Sequence, residues 1–239
     1  LPSFPTRRSS DRRLAVRPAA PDAMRFVRVS ARDRRFFELD DGALFYPVGH
    51  NVRSATDERM DDKFPWRFRH DDGSTAYRRY FARMQEAGEN IGEVWMSSWS
   101  LGIEWTEGVS GYHGANDYHM ANAWELDRVM DLARQHRIYI NLVLNYHGRI
   151  STWLDPEWHL HPYNKATPGG WLTQTIEFFT EARAIEMQKR FCRYTHARWG
   201  WSPSIFGYSL CSEINLTGDP GHKKRTHFLP EVVEWCRAL

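Results

Sequence analysis

Ile138-Tyr139-Ile140-Asn141-Leu142-Val143-Leu144-Asn145-Tyr146-His147 is the stretch on which the fold turns. Its even positions, Ile138, Ile140, Leu142 and Leu144, are aliphatic, whereas Asn141, Asn145 and His147 make the odd positions mostly polar. Strand side chains alternate between two faces, so the run offers an oily face to helices and a polar face to something else. An amphipathic helix precedes it. That helix is predicted to start at Asn122, with Glu125 as the capping partner, and Leu126, Val129, Met130 and Ala133 form its stripe.

The same helix-then-strand order recurs on both sides. Upstream, Tyr77, Tyr80, Phe81 and Met84 mark a helix over 74–87 that stops at Gly88, and a strand follows at 91–97. Downstream, Ala184, Met187, Phe191 and Tyr194 mark a helix over 177–198, followed by a strand at 205–211 and a further helix from near Leu229. Helices alternating with buried strands build parallel βα units. No Gly-rich phosphate loop follows the first strand, which disfavours a dinucleotide-binding open sheet. Long aromatic loops follow the strands instead, as on the active-site face of a (β/α)8 barrel.

Parity in the last strand agrees. Phe206, Tyr208 and Leu210 are predicted to face outward, while small Gly207, Ser209 and Cys211 fit a crowded interior and Glu213 continues the inward series. About four βα units can be counted, so the predicted fold is α/β, a partial (β/α)8 barrel. A short β-hairpin precedes it, with strands near 25–29, 36–39 and 44–48 and a turn at Asp40-Asp41-Gly42. Residues 1–11 read like a translated sequencing adapter, a non-native leader, and 12–35 hold an N-terminal segment with the first hairpin strand. The truncated barrel domain would then occupy 36–239, ending inside a helical pattern with no capping glycine.

Composition narrows the function. Of 239 residues, 41% are hydrophobic and 26% charged, as in a folded globular chain. No apolar run approaches the roughly 18 residues of a membrane span. A net charge of +2 offers no field to recruit nucleic acid or anionic lipid. The three cysteines, Cys192, Cys211 and Cys236, do not suggest a disulfide framework. Compartment, secreted or periplasmic export included, and oligomeric state stay open. Tryptophan is abundant, with eleven residues, several of them in loops.

Four segments together resemble the clan of retaining glycoside hydrolases built on (β/α)8 barrels, which includes cellulase- and mannanase-like families. Residues 37–51, ending Pro47-Val48-Gly49-His50-Asn51, look like the clan's opening strand, and 88–96 (GENIGEVWM) resemble its second. Residues 141–147 are similar to its third strand, which often ends in His. Residues 198–215, through Cys211-Ser212-Glu213-Ile214-Asn215, look like the fourth strand with the acid/base Glu. The resemblance implies that Glu213 is the general acid/base and that the nucleophile comes from a seventh strand beyond Leu239, which would leave this chain inactive alone.

Such chemistry needs a carboxylic acid that donates a proton to the departing glycosidic oxygen, and in retaining enzymes a carboxylate nucleophile about 5 Å away. The substrate implied is a β-linked poly- or oligosaccharide, without a cofactor. His147, Asn145, Ser212 and Asn51 are the candidate polar contacts to sugar. Trp95, Trp99 and Trp153 are the candidate stacking platforms, because pyranose C–H faces lie well on aromatic rings. Two positions depart from the clan pattern. Ser212 stands where Asn usually precedes the acid/base, and Glu93 stands where Arg usually supports the nucleophile. An inward carboxylate must find a partner, and a structural ion pair is the expectation for Glu93.

Two alternatives follow from these residues. The departures at Glu93 and Ser212 suit a carbohydrate-binding barrel without turnover. His159-Leu160-His161 resembles the H-x-H pair of metal-dependent amidohydrolase-like barrels, but that pair belongs on a first strand and here precedes Pro162 in a loop. No metal is assigned.

Overall fold

Four parallel strands in chain order, flanked by helices, make up the main layer of the protein. The computed structural model describes residues 20, 23–54, 74–219 and 230–239; the leader expected at 1–11 and Leu229 lie outside these residues. Strands β1 (Val27–Val29), β2 (Phe37–Leu39) and β3 (Leu44–Phe45) form a small antiparallel sheet. Strands β4 (Gly49–Arg53), β5 (Ile91–Trp95), β6 (Tyr139–Val143) and β7 (Ile205–Ser209) form the parallel sheet, in the order β4-β5-β6-β7. Helices α1 (Ser74–Glu86) and α2 (Met120–Gln135) lead into β5 and β6. Helices α3 (Glu177–Thr180) and α4 (Ala182–Trp199) precede β7, and α5 is Pro230–Ala238. A doubly wound sheet would reverse its strand order at a switch point. This one does not, and its four strands are half of the eight that close a (β/α)8 barrel.

The parity of the opening stretch explains the core. Ile138, Ile140, Leu142 and Leu144 are all buried against Phe81, Met84, Leu126 and Val129 of α1 and α2. Each such side chain contributes about 1.5–3 kcal/mol by leaving water. The opposite face is built in layers. Asn51, Glu93, Asn141 and Gly207 are register partners across the four strands, and Trp95, Val143 and Ser209 form the layer above.

The sheet β1–β3 closes the floor. Phe45 meets Tyr139 edge-on at 4.7 Å between ring centroids, and Phe37 meets Phe206 at 4.9 Å. Phe206 therefore does not point outward as its alternation predicts. The β6–β7 register shifts between Ile140 and Asn141, which pair with Ile205 and Gly207, so Phe206 is the extra residue of a bulge and turns to the floor.

Two helix boundaries also differ from expectation. The cap of α2 is His119, whose ring accepts from the Asn122 amide, while the Asn122 side chain donates to the Gly102 carbonyl at 2.7 Å. Glu125 accepts from the Ser74 amide instead of closing a capping box. The helix expected over 177–198 is broken at Glu181, where the carboxylate caps α4 by accepting from Arg183 and Ala184 amides and also from the Trp171 indole. A side chain that satisfies three donors makes an interruption cheaper than continuity.

Gly49 allows β4 to approach β5. A Cβ there would sit 1.7 Å from the Ile91 carbonyl oxygen, a backbone atom that cannot swing aside. Gly49→Ala is expected to lower stability by about 2–4 kcal/mol, read from the urea unfolding midpoint. A variant as stable as the parent would show that β4 is not seated on β5 in this way.

Candidate active site

The rim of the sheet carries the candidate residues, placed by a change of register. The Leu144 amide still donates to Ser209, but the next rung is Ser212 to Asn145 (2.9 Å), and Tyr146 bridges to Ser212. A one-residue slip exchanges the faces of a strand. Asn145 therefore does not continue the inward series expected of it. Its side-chain amide donates to the Leu210 carbonyl at 3.0 Å, and it borders a small cavity with Glu104, Arg149 and Gln188. Tyr146 takes the inner place. Its ring stacks on Trp95 (5.9 Å, 19°) and is met edge-on by Trp99 (4.6 Å). Burial and the neighbouring Glu157 carboxylate push the Tyr146 phenol well above its ordinary range, so it stays protonated and donates to Glu157, which also accepts from Ser98.

Glu213 sits past the end of β7. It is held by a left-handed turn (φ 54°, ψ 43°) that opens the 3-10 turn Ile214–Leu216, and strand parity does not carry that far. Its Oε2 lies 2.9 Å from Nδ1 of His147, which opens the turn His147–Ile150 after β6. The His147 side chain is 7% exposed and that of Glu213 is 49% exposed, so a buried base meets a carboxylate open to solvent. On its other side, His147 Nε2 is 3.2 Å from Asp155 Oδ2. Proton transfer between a carboxyl and an imidazole, beside a wall of aromatic rings, is the chemistry this arrangement can do.

The remaining candidates are spread around this pair. Ser212 is its neighbour in sequence and is held by the backbone rung to Asn145. Asn51 lies a layer lower, exposed, in register with Glu93. Trp95 is buried and Trp99 and Trp153 are half-buried, with Trp153 in the loop that follows β6. Among the described residues Glu93 does not form the expected ion pair: its two oxygens accept from the Trp95 indole (2.7 Å) and the Asn141 amide (3.0 Å). Two neutral donors satisfy the carboxylate where a cation was expected. Trp105, Trp158 and Trp171 serve packing. Trp105 and Trp158 are buried, and Trp171 lies between Tyr163 (4.8 Å) and the Arg183 guanidinium (3.9 Å).

Sequence reasoning missed a second polar centre beneath the loops. Arg149 and Glu104 are both about 3–4% exposed and form an ion pair at 3.1 Å, with Glu104 also accepting from the Asn116 amide at 2.7 Å. Nothing in the spacing of these residues signals the pair. Tyr146 is legible in principle, since it stands between Asn145 and His147 just past the strand end.

His161 is a residue of the core. It is fully buried in a cage of Trp105, Trp158, Tyr163 and Phe178 rings at 4.8–6.0 Å, and its Nδ1 accepts from the Tyr163 amide at 3.0 Å. Among the described residues no group of three or more His, Cys, Asp or Glu is placed to hold a metal ion. Burial lowers the His161 pKa well below the ordinary imidazole value, with Arg149 adding to the effect. The unfolded chain therefore binds a proton that the folded chain refuses, and stability is lost as pH falls below about 6.5. His161→Phe should flatten that acid-side loss, compared as urea midpoints at pH 5 and pH 7.5. An equally steep loss in the variant would assign the acid sensitivity elsewhere.

No family model matches the chain, and no curated protein sequence matches it. Solved structures do share its fold. An endo-1,4-beta-mannanase from Rhizomucor miehei aligns over 74% of this chain and 46% of its own, with 19% identity and a TM-score of 0.50. An exo-beta-1,4-mannosidase from Opitutaceae bacterium strain TAV5 aligns over 85% and 30%, with 18% identity and a TM-score of 0.55. A family 5 glycoside hydrolase from Streptomyces cattleya, in complex with GlcNAc, aligns over 80% and 40%, with 15% identity and a TM-score of 0.52. The structural neighbours are thus glycoside hydrolases, the shared feature at these identities is the fold, and the chain spans less than half the length of each of the three.

Proposed function

We propose that a protein carrying this half-barrel together with its other four βα units is a retaining glycoside hydrolase acting on β-linked poly- or oligosaccharides. Glu213 is its general acid/base. In the first step Glu213 gives its proton to the glycosidic oxygen as a carboxylate from the other half attacks the anomeric carbon. In the second it takes a proton from the water that releases the sugar. The observation that carries the reading is the meeting of Glu213 with buried His147 at 2.9 Å, at adjacent strand ends beside the Trp95–Tyr146–Trp99 wall. Catalytic groups of (β/α)8 barrels sit at that end of the strands.

The mannanase and mannosidase are named for 1,4-β-mannosidic bonds, which makes β-1,4-manno-oligosaccharides the first substrates to try. The test is hydrolysis by the eight-unit protein, with the anomer of the first-formed sugar read by NMR. The proposal expects the β anomer first. An α anomer would overturn retention, and saccharide binding without turnover would favour the carbohydrate-binding barrel that Glu93 and Ser212 suggest.

A further inference from the structure

We propose that Asp155 is a positioning residue that fixes the proton of His147 on Nε2 and so turns the bare Nδ1 toward Glu213. The inference rests on the proposed role of Glu213 and adds to it a residue that nothing in the sequence pattern assigns. His147 stands between two carboxylates. Asp155 Oδ2 is 3.2 Å from Nε2 in hydrogen-bonding geometry, whereas Glu213 Oε2 comes to 2.9 Å from a buried Nδ1 that has no aligned hydrogen-bond partner. A neutral imidazole has one N–H and one lone pair, and a carboxylate on one nitrogen decides which is which. With Asp155 accepting from Nε2–H, the lone pair of Nδ1 is left for Glu213. A bare Nδ1 beside Glu213 can accept a hydrogen bond and cannot donate one.

The backbone is shaped to deliver Asp155 to the ring. A Cβ on Gly148 would lie 2.6 Å from the Asp155 carbonyl oxygen, so only glycine lets the loop close onto the turn at His147–Ile150. The Glu157 amide then donates to the Gly148 carbonyl at 3.0 Å and ties the loop down. Asp155 itself holds a left-handed φ of 44°, although it precedes Pro156, a setting that steers residues to extended backbone. Glu213 holds φ 54° across the ring. Strained non-glycine residues on both sides of one imidazole persist where the surroundings over-determine them.

The test reads the ring without any substrate. In the 239-residue chain with 15N-labelled histidine, the His147 signals are assigned by their loss in His147→Gln and recorded at alkaline pH, where imidazole is neutral. The expected pattern has a protonated Nε2 and a bare Nδ1, with well-separated ring 15N shifts. Asp155→Gly removes the carboxylate at a position glycine tolerates, and should draw the two shifts toward an averaged value as the tautomers mix. Asp155→Asn, a weaker acceptor that also tolerates this backbone, should move them part of the way and decides the matter if the glycine variant does not fold. A proton on Nδ1 in the parent, or shifts unmoved in the folded variants, would overturn the inference. Failure of the glycosidase reading would show separately, as absent turnover with the tautomer pattern intact.

Discussion

Glu213→Gln in the eight-unit protein is expected to lower glycoside turnover by about 10²–10⁴-fold, the range general acid–base groups contribute. The substitution keeps the shape of the side chain and removes only the acid. The loss should be largest for substrates whose leaving oxygen is strongly basic and smallest for aryl glycosides that depart without protonation. Stability should hardly change, within about 0.5 kcal/mol, because the side chain is half exposed and its turn is a matter of backbone. Parallel measurement of kcat/KM, which reports formation of the glycosyl-enzyme, on natural and aryl substrates, with the urea midpoint as a folding check, separates the two effects. Equal losses on both substrate kinds would argue that Glu213 does something other than donate a proton.

The second large effect concerns the buried pair under the loops. Arg149→Met replaces a buried cation with an apolar chain of similar length and leaves Glu104 without its partner. Breaking such a pair from one side costs about 3–5 kcal/mol, since the abandoned charge stays desolvated. Arg149 also lies 5.4 Å over the Trp105 ring, so packing is lost with the charge. Burial already holds the Glu104 pKa above the ordinary carboxylate value, against the pull of Arg149. A raised carboxyl binds its proton more tightly in the folded state than in the unfolded one. Its folded form is therefore favoured at low pH and penalised as pH rises through the raised value. The Arg149→Met variant should accordingly lose more stability at pH 8 than at pH 5. Urea midpoints at the two pH values check it, and a loss independent of pH would place the cost in packing alone.

Much of this architecture is legible in the sequence where periodicity speaks. The alternation of Ile138, Ile140, Leu142 and Leu144 predicts the helix-facing side of β6, and the helix stripes predict α1 and α2 within a few residues. Periodicity fails where the backbone shifts register. Phe206 turns inward at a bulge, and Asn145 yields its inner place to Tyr146 where the ladder slips. Neither shift leaves a mark on residue types, because both depend on how neighbouring strands pair. The site is legible in the same partial way. Glu213 and His147 are brought together as candidates named from strand ends, yet the turn that aims Glu213 and the Asp155 loop are properties of left-handed backbone, which sequence alternation does not encode. Glu93 shows the reverse case. Its inward placement follows from parity, but its partners, an indole two residues along and an amide on the next strand, become visible only in register.

The most direct test of the acid/base assignment is chemical rescue of Glu213→Ala in the eight-unit protein, using aryl β-glycosides with good leaving groups and added azide. These substrates need no acid to form the glycosyl-enzyme, whose breakdown then stalls for want of a base. Azide needs no base to attack the anomeric carbon, and it displaces the enzyme carboxylate. Turnover is expected to quicken with azide and to give a glycosyl azide of β configuration. An α-configured azide, or hydrolysis at the parent's rate with no azide adduct, would contradict the assignment.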